Sequence, residues 1–212
     1  MNRPLVEICC PSLDQARKAF AVGADRVELC REIDCGGLTP TDEALKAIPS
    51  LPGPVHVLIR CRAGNFVYDE AEILCMLEQI DRAADCGAAG VVVGALTADG
   101  AIDKAASQRL ITHAREQSLS VTFHRAIDET ADYMSAYKDV CALAPDRILT
   151  SGGFPTAFEG RFRLAGLIQA PGPVILPGKG ITGENVRELL LVTGAREVHG
   201  TCLDIANYPY YL

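Results

Sequence analysis

Short apolar runs recur along the chain, and their spacing predicts the fold. They begin near Leu5, Arg26, Val55, Gly90, Val121, Arg147, Val174 and Glu197. Successive starts lie roughly 21 to 35 residues apart, which is the length of one β-strand, one helix and two connecting loops. Because each run is rich in β-branched and aliphatic residues, we interpret the eight runs as strands.

Helix signals lie in the segments between these runs. Hydroxyl and proline residues, which cap helix N-termini or suit the first helical turn, mark the expected starts. They are Pro11-Ser12, Thr39-Pro40 and Thr182. Glycines that suit a left-handed helix end mark the expected stops, each just before a strand. They are Gly23, Gly87 and Gly194.

Eight strands alternating with seven helices predict an α/β protein of the (β/α)8 TIM-barrel type, in one domain over residues 1–212. A doubly wound open sheet is the alternative. After the eighth strand the chain supplies only LDIANYPYYL, which is too short and too rich in Tyr and Pro for a normal helix. We therefore expect the last helix to be short or missing, and its groove to be covered by a partner subunit or by this aromatic tail.

The predicted strands carry charge where buried strands are normally apolar. Side chains alternate across a strand, so the phase that keeps one face apolar assigns the charged residues to the other face. In RVELC, for example, Val27 and Leu29 face the helices and Glu28 faces inward. The same argument applied to five strands gives an inward set of Glu7, Cys9, Glu28, Cys30, His56, Leu58, Arg60, Thr122, His124, Glu197, His199 and Thr201. A barrel interior can hold these groups, whereas a covered open sheet cannot.

Position along each strand separates ligand contact from support, because active sites of such barrels lie at the strand C-termini. The late positions are Cys9, Cys30, Arg60, Arg62, His124, Arg125, Ser151 and His199. Glu7, Glu28, His56, Thr122 and Glu197 lie earlier and are expected to orient them. His124 or His199, oriented by Glu7 or Glu28, is the candidate for moving a proton. The alternative for the early layer is a buried ion network without chemistry.

Two glycine-rich turns follow the sixth and seventh predicted strands. The segments LTSGGF and LPGKGIT contain Gly152, Gly178 and Gly180, whose small size would let backbone N–H groups approach an anion. Such barrels often bind phosphate in this sector. The alternative is that both segments are simply tight turns between strand and helix.

Composition restricts the function classes. The formal net charge is -7 and the chain has no Lys/Arg run, which argues against nucleic acid or an anionic membrane as partner. The N-terminus has no signal-peptide pattern, so we expect a cytoplasmic protein. Nine cysteines in that setting favour reduced thiols. Cys9 and Cys30 occur in matching Glu-apolar-Cys strands, and such soft thiolates select Cu(I).

These segments resemble the CutC family of copper homeostasis proteins. The resemblance lies in LVEICCPS, GADRVELC, GGLTPT, VHVLIRCR with GNFVYDE, VTFHRAID, RILTSGG, GKGITGEN and EVHGTC. It implies a cytoplasmic (β/α)8 barrel, copper(I) binding and a homodimer or larger assembly. The residues that carry over are Glu7, Cys9, Glu28, Cys30, Arg60, Arg62, His124, Arg125, Asp128, Ser151 and His199.

Two functional hypotheses follow. The first, implied mainly by the resemblance, is copper homeostasis through Cu(I) bound by Cys9 and Cys30 near the barrel mouth. The second, from the polar interior, is a barrel enzyme that uses His/Glu acid–base chemistry on a small anionic, phosphorylated or non-phosphorylated metabolite. Its anion site would comprise Arg60, Arg62, Arg125, Asp128, Ser151, Gly152, Gly178 and Gly180.

Overall fold

A computed structural model of the chain describes residues 3–201 and 203–206. Within these residues, eight strands alternate with seven α-helices. The strands are β1 (Leu5–Cys10), β2 (Arg26–Leu29), β3 (Val55–Leu58), β4 (Gly90–Val93), β5 (Ser120–Phe123), β6 (Arg147–Thr150), β7 (Val174–Pro177) and β8 (Glu197–Gly200). The helices are α1 (Leu13–Ala21), α2 (Asp42–Lys46), α3 (Glu70–Asp85), α4 (Lys104–Glu116), α5 (Tyr133–Leu143), α6 (Arg161–Gln169) and α7 (Val186–Thr193).

All strand pairs are parallel, and their order is β7-β6-β5-β4-β3-β2-β1-β8. The pairing of β1 with β8 brings together the first and last strands, with Leu5 opposite Glu197 and Glu7 opposite His199. Because β7 and β8 also lie side by side, the sheet forms a nearly closed barrel. The predicted TIM-type barrel is confirmed, and the doubly wound open sheet is excluded.

The predicted alternation of side chains is also confirmed. Val27, Leu29 and Val57 pack outward in the large apolar core between the barrel and the helices. Inside the barrel, Cys9, Cys30, Leu58 and Val92 form a separate small apolar cluster. The charged strand residues therefore share an interior with a few apolar side chains, which keeps water away from them and strengthens their mutual interactions.

Helix caps follow the sequence signals at some positions and shift at others. The Ser12 hydroxyl accepts a hydrogen bond from the Gln15 N–H at the start of α1, as predicted. Helix α2 is capped by Thr41 instead of Thr39, because the Thr39 hydroxyl accepts the Arg60 N–H. The three predicted stop glycines all have positive φ; they are Gly23, Gly87 and Gly194.

Past β8, the described chain contains a 3₁₀ turn at Leu203–Ile205. The aromatic tail that was expected to cover the groove falls within residues 207–212, outside the described residues, and Cys202 is likewise outside them. Among the residues that are described, no helix is both long and apolar enough to cross a membrane.

Candidate functional site

A cavity of about 360 Å³ lies at the C-terminal ends of the strands, where the sequence predicted a site; we call it the mouth cavity. The predicted site residues that line it are Cys9, Glu28, Arg60, His124, Arg125, Gly180 and His199. They come from strands β1, β2 and β8 and from the segments that follow β3, β5 and β7. Closure of the barrel brings these distant segments together.

The two predicted metal-binding cysteines are neighbours inside the barrel. The Sγ atoms of Cys9 and Cys30 lie 3.6 Å apart, and both side chains are buried. Cys9 lines the mouth cavity, whereas Cys30 belongs to the apolar cluster beside it. The hydrogen bond with Cys30, together with burial, raises the pKa of the Cys9 thiol, so Cys9 is a protonated thiol in the metal-free protein.

Cys9, Glu28 and His199 form a cluster of mixed donor atoms. One ligand atom from each lies within 4.8 Å of the others, so the three side chains could hold one ion. The Cys9 Sγ donates to Glu28 Oε1 at 3.4 Å, while Glu28 Oε2 is buried without a hydrogen-bond partner. Burial raises the pKa of Glu28, which favours the protonated carboxyl until a cation is present.

Glu7 orients His199 from below the cavity. The distance from His199 Nδ1 to Glu7 Oε1 is 2.7 Å, and both residues are buried. Burial by itself lowers the pKa of His199, but the hydrogen bond to Glu7 and the nearby Glu28 outweigh it and raise that pKa. Because Nδ1 is committed to Glu7, the Nε2 atom is the one that remains for a ligand or for proton transfer.

Glu7 also belongs to a layer of charged side chains beneath the site. Two residues of this layer, Arg26 and Arg147, were not predicted from the sequence. Arg26 Nε forms an ion pair with Glu7, and its Nη2 donates to Glu197 Oε2 at 2.8 Å. Arg147 Nε reaches the same Glu197 oxygen at 2.8 Å. The inward phase that places Glu28 inside also places Arg26 inside, so the signal was present at the first residue of β2. Glu7 and Glu197 of the predicted early layer are thus connected through Arg26 in one ion network.

His56 and His124 are both held in the neutral form. Burial lowers the pKa of His56 to about 4, and its Nδ1 atom lies 3.8 Å from Glu7 Oε2. Burial and the nearby Arg60 lower the pKa of His124 to about 3. His124 Nδ1 accepts the Ala126 N–H at 3.2 Å, so the imidazole proton is on Nε2. His124 therefore presents a neutral N–H donor to the mouth cavity.

Arg60 is fixed in place by the loops around it. Its Nη1 donates to the carbonyl oxygens of Cys35 and Gly37 at 2.8 and 3.0 Å, and its Nη2 donates to Gly64 at 2.5 Å. The Phe66 ring lies 4.8 Å from the Arg60 guanidinium carbon and its centroid lies 4.8 Å from that of His124. These contacts hold both donors in one orientation.

Arg62 does not line the mouth cavity, in contrast to the prediction. It forms an ion pair with Glu72 at the start of α3, and its Nη2 donates to the Val67 carbonyl at 2.5 Å. The reason is that β3 ends at Leu58, so strand alternation no longer applies at Arg62, and the turn that follows directs its side chain toward Glu72. Arg62 fixes the loop between β3 and α3.

The predicted anion site after β6 is filled by a side chain of the protein. Asp128 accepts the N–H groups of Ser151 and Gly153 at 3.0 and 2.9 Å, and it accepts the Thr150 hydroxyl at 2.5 Å. The Gly152 N–H donates to the Thr150 hydroxyl at 2.8 Å. The Asp128 carboxylate therefore takes the position in which a bound anion was expected, and this turn does not line the mouth cavity.

Gly178 leaves space for the side chains of Leu149 and His199 and does not offer its N–H to an anion. Its N–H donates to the Thr150 carbonyl at 3.1 Å, so it is not available to a ligand. A Cβ atom there would lie 2.4 Å from Leu149 Cδ1 and 3.3 Å from His199 Cδ2. Two residues on, Gly180 lines the mouth cavity together with Lys179, a cation that the sequence reasoning did not select. The sequence signal that could have identified Lys179 is its position between two glycines in the turn GKG.

A known protein family matches most of this chain. The model of the CutC family matches residues 4–203. A family protein CutC of Sinorhizobium medicae is 44% identical over 204 residues, which is 95% of this chain and 82% of the relative. The corresponding protein of Aliivibrio fischeri is 42% identical over 197 residues, 92% of this chain and 80% of the relative.

A solved structure agrees in fold. It is the crystal structure of a candidate copper homeostasis protein CutC from Streptococcus agalactiae, with a TM-score of 0.86 and 30% sequence identity. The match covers 94% of this chain and 99% of that one. Sequence and structure thus agree over nearly the whole barrel, and the chain belongs to the CutC family.

Proposed function

We propose that this chain takes part in copper homeostasis by binding Cu(I) as cargo through Cys9 and Cys30. The observation that carries the proposal is the pair of thiols 3.6 Å apart inside the barrel, beside an open cavity. Soft thiolates select Cu(I) over harder cations. The Streptococcus agalactiae relative is described as a candidate copper homeostasis protein, which supports extending the same role to this chain.

The donor set around the thiols fits a metal ion. His199 and Glu28 lie within reach of Cys9, and the hydrogen bond that His199 Nδ1 donates to Glu7 is the arrangement that orients a metal-binding histidine. Glu28 Oε2, buried without a partner, would gain one from a bound cation. Because the raised pKa of Cys9 keeps it a thiol in the metal-free protein, metal binding there must release its proton.

An anaerobic Cu(I) titration against a chromophoric competing chelator tests this proposal. We compare the wild type with the Cys9→Ala/Cys30→Ala double variant. The matched control is Cys10→Ala, because Cys10 is adjacent in sequence but faces the outer core. The double variant should lose its ability to compete with the chelator, and Cys10→Ala should keep it. Equal competition by all three proteins would refute cysteine-based binding.

A second candidate function is acid–base catalysis on a small anion, favoured by the Glu7–His199 pair beside two fixed donors. The pair can hold and move a proton at His199 Nε2, while His124 and Arg60 can polarise an oxygen of the bound molecule. His124 is suited to donation rather than proton abstraction, because Nδ1 already accepts the Ala126 N–H.

Proton exchange tests this second function. The protein is incubated with a panel of small metabolites in D2O, and NMR measures deuterium entering C–H positions. Wild type should label at least one of them, His199→Gln should not, and the surface variant His113→Gln should behave as wild type. A panel that wild type leaves unlabelled counts against the acid–base role.

Location and assembly complete the proposal. The eight cysteines that the structure describes are all free thiols, which supports the reducing cytoplasm as the compartment. A homodimer or larger assembly stays a prediction from the resemblance. Size-exclusion chromatography with light scattering tests it, and a monomer at micromolar concentration would contradict it.

A further inference from the structure

The mouth cavity is locally positive in a protein that is acidic as a whole. Arg60, Arg125 and Lys179 line it, while the chain carries a formal net charge of -7. Apart from Glu28 in the metal cluster, Glu129 is the acidic residue among the described lining residues. Local positive charge in a cavity concentrates anions. The cysteines by themselves do not need these cations.

Buried donors at this cavity lack a hydrogen-bond partner. They include Arg60 Nε and His124 Nε2, and each of these two residues is 5% exposed. Arg125 Nε also lacks a hydrogen-bond partner, but it forms an ion pair with Asp128 Oδ2 at 3.4 Å. The other Arg60 contacts go to loop carbonyl groups, and the other His124 nitrogen accepts the Ala126 N–H. Unpartnered buried donors are costly and are uncommon in folded proteins. A ligand with acceptor oxygens would satisfy both.

Four backbone N–H groups in the turns after β6 and β7 are already taken. After β6, Ser151 and Gly153 donate to Asp128. Before α7, the Thr182 N–H donates to Asn185 Oδ1 at 3.0 Å, and the Gly183 N–H donates to Asp204 Oδ2 at 2.8 Å. Phosphate sites in such barrels depend on loop and helix N–H groups of this kind. The buried unpartnered donors Arg60 Nε and His124 Nε2 are instead side-chain groups.

We propose that the mouth cavity binds a small organic molecule through a carboxylate, which Arg60 and His124 hydrogen-bond and which Arg125 and Lys179 attract. A planar carboxylate fits the edge of a guanidinium group with two parallel hydrogen bonds. Phe66, packed on both donors, fixes them before the ligand arrives, which reduces the entropy lost on binding. The inference rests on the second candidate function, since it takes the ligand to be an anion, and it names the chemical class.

The cavity volume of about 360 Å³ suits a small metabolite rather than a large cofactor.

The test uses the metal-free full-length protein at constant ionic strength. Thermal shift and isothermal titration calorimetry compare propionate, malonate and succinate with inorganic phosphate and glycerol 3-phosphate. The variants are Arg125→Gln/Lys179→Gln, which removes the two cations that are not tied to loop carbonyls, and His124→Phe, which removes one donor. Lys138→Gln is the control, because it deletes one positive charge on the exposed surface of α5.

We expect at least one carboxylate to stabilise the wild type and Lys138→Gln, and to lose this effect in both cavity variants. Binding of the phosphates without the carboxylates would overturn the inference and leave the second candidate function standing. Absence of binding by every anion would overturn both. A carboxylate effect that survives in the cavity variants would place binding elsewhere and also overturn the inference.

Discussion

Glu7 holds the charged layers of the barrel together, and its replacement by glutamine tests this role. The side chain is 1% exposed, forms an ion pair with Arg26 and accepts His199 Nδ1 at 2.7 Å. Glu7→Gln conserves the volume, removes the charge, and replaces one acceptor oxygen with an N–H2 donor. One of the buried donors, on Arg26 or on His199, then faces another donor.

The expected loss in the free energy of unfolding follows from the burial of the Glu7 ion pair. Removing one partner of a buried ion pair typically costs about 3–5 kcal/mol. Arg26 keeps its hydrogen bond to Glu197 at 2.8 Å, so we expect the lower end of that range. For a domain of this length, about 3 kcal/mol corresponds to a fall in Tm of roughly 6–12 °C.

Urea unfolding at neutral pH, followed by far-UV circular dichroism, gives the free energy of unfolding. The control is Glu70→Gln, the same chemical change in an exposed pair with Arg109, which should have a much smaller effect. The fold lowers the pKa of Glu7, because the His199 hydrogen bond and Arg26 outweigh burial. Its stabilisation is therefore present above the unfolded value of 4.5 and is lost as pH falls below it.

The difference in the free energy of unfolding between wild type and Glu7→Gln should therefore become smaller as the pH falls below 4.5. If Glu7→Gln lost less than about 1 kcal/mol, or no more than Glu70→Gln, the ion network would not stabilise the barrel in the way we infer. A gap that stayed constant below pH 4.5 would contradict the lowered pKa of Glu7.

Two further predictions concern the interior histidines. Gly90→Ala would place a Cβ 2.6 Å from the Ser120 carbonyl oxygen and 2.7 Å from His56 Nε2, so urea unfolding should show a loss of about 1–3 kcal/mol, and a neutral effect would contradict the close packing. The pKa values of His56 and His124 fall from 6.5 to about 4 and about 3, so the unfolded state binds more protons at these two sites, and their contribution lowers stability as pH drops from 6.5 to 4.5. The raised pKa of Glu28 has the opposite effect in that window, and the raised pKa of His199 changes stability only above pH 6.5. Urea midpoints of Glu28→Gln, which lacks the opposing carboxyl, check this across the window, and a flat profile for that variant would refute it.

Much of the candidate site could be predicted because strand alternation is a local property. Once Val27 and Leu29 are assigned to the helix-facing side, Glu28 must face inward, whatever the rest of the chain does. The same rule placed Cys9 and His124 in the barrel interior. Because active sites of such barrels lie at the strand C-termini, the late strand positions also indicated where the cavity lies.

Residues beyond the strand ends could not be placed in this way. Arg62 follows a turn, so alternation no longer applies, and its partner Glu72 on α3 decides its direction. Asp128 lies in a 3₁₀ turn after β5, yet its carboxylate binds the N–H groups after β6. Such contacts depend on how two loops meet.

The barrel, the apolar outer face of each strand and the polar interior could be predicted, because these features follow from the periodicity of the chain. Which interior groups pair depends on the folded barrel: Glu7 of β1 pairs with His199 of β8, and Cys9 with Cys30 across neighbouring strands. The fold also places Asp128 in the expected anion site and leaves Arg60 Nε and His124 Nε2 in the mouth cavity without a hydrogen-bond partner. The physical reason is that hydrogen bonding and charge pairing depend on distances of a few ångströms between segments far apart in sequence, which periodicity does not encode.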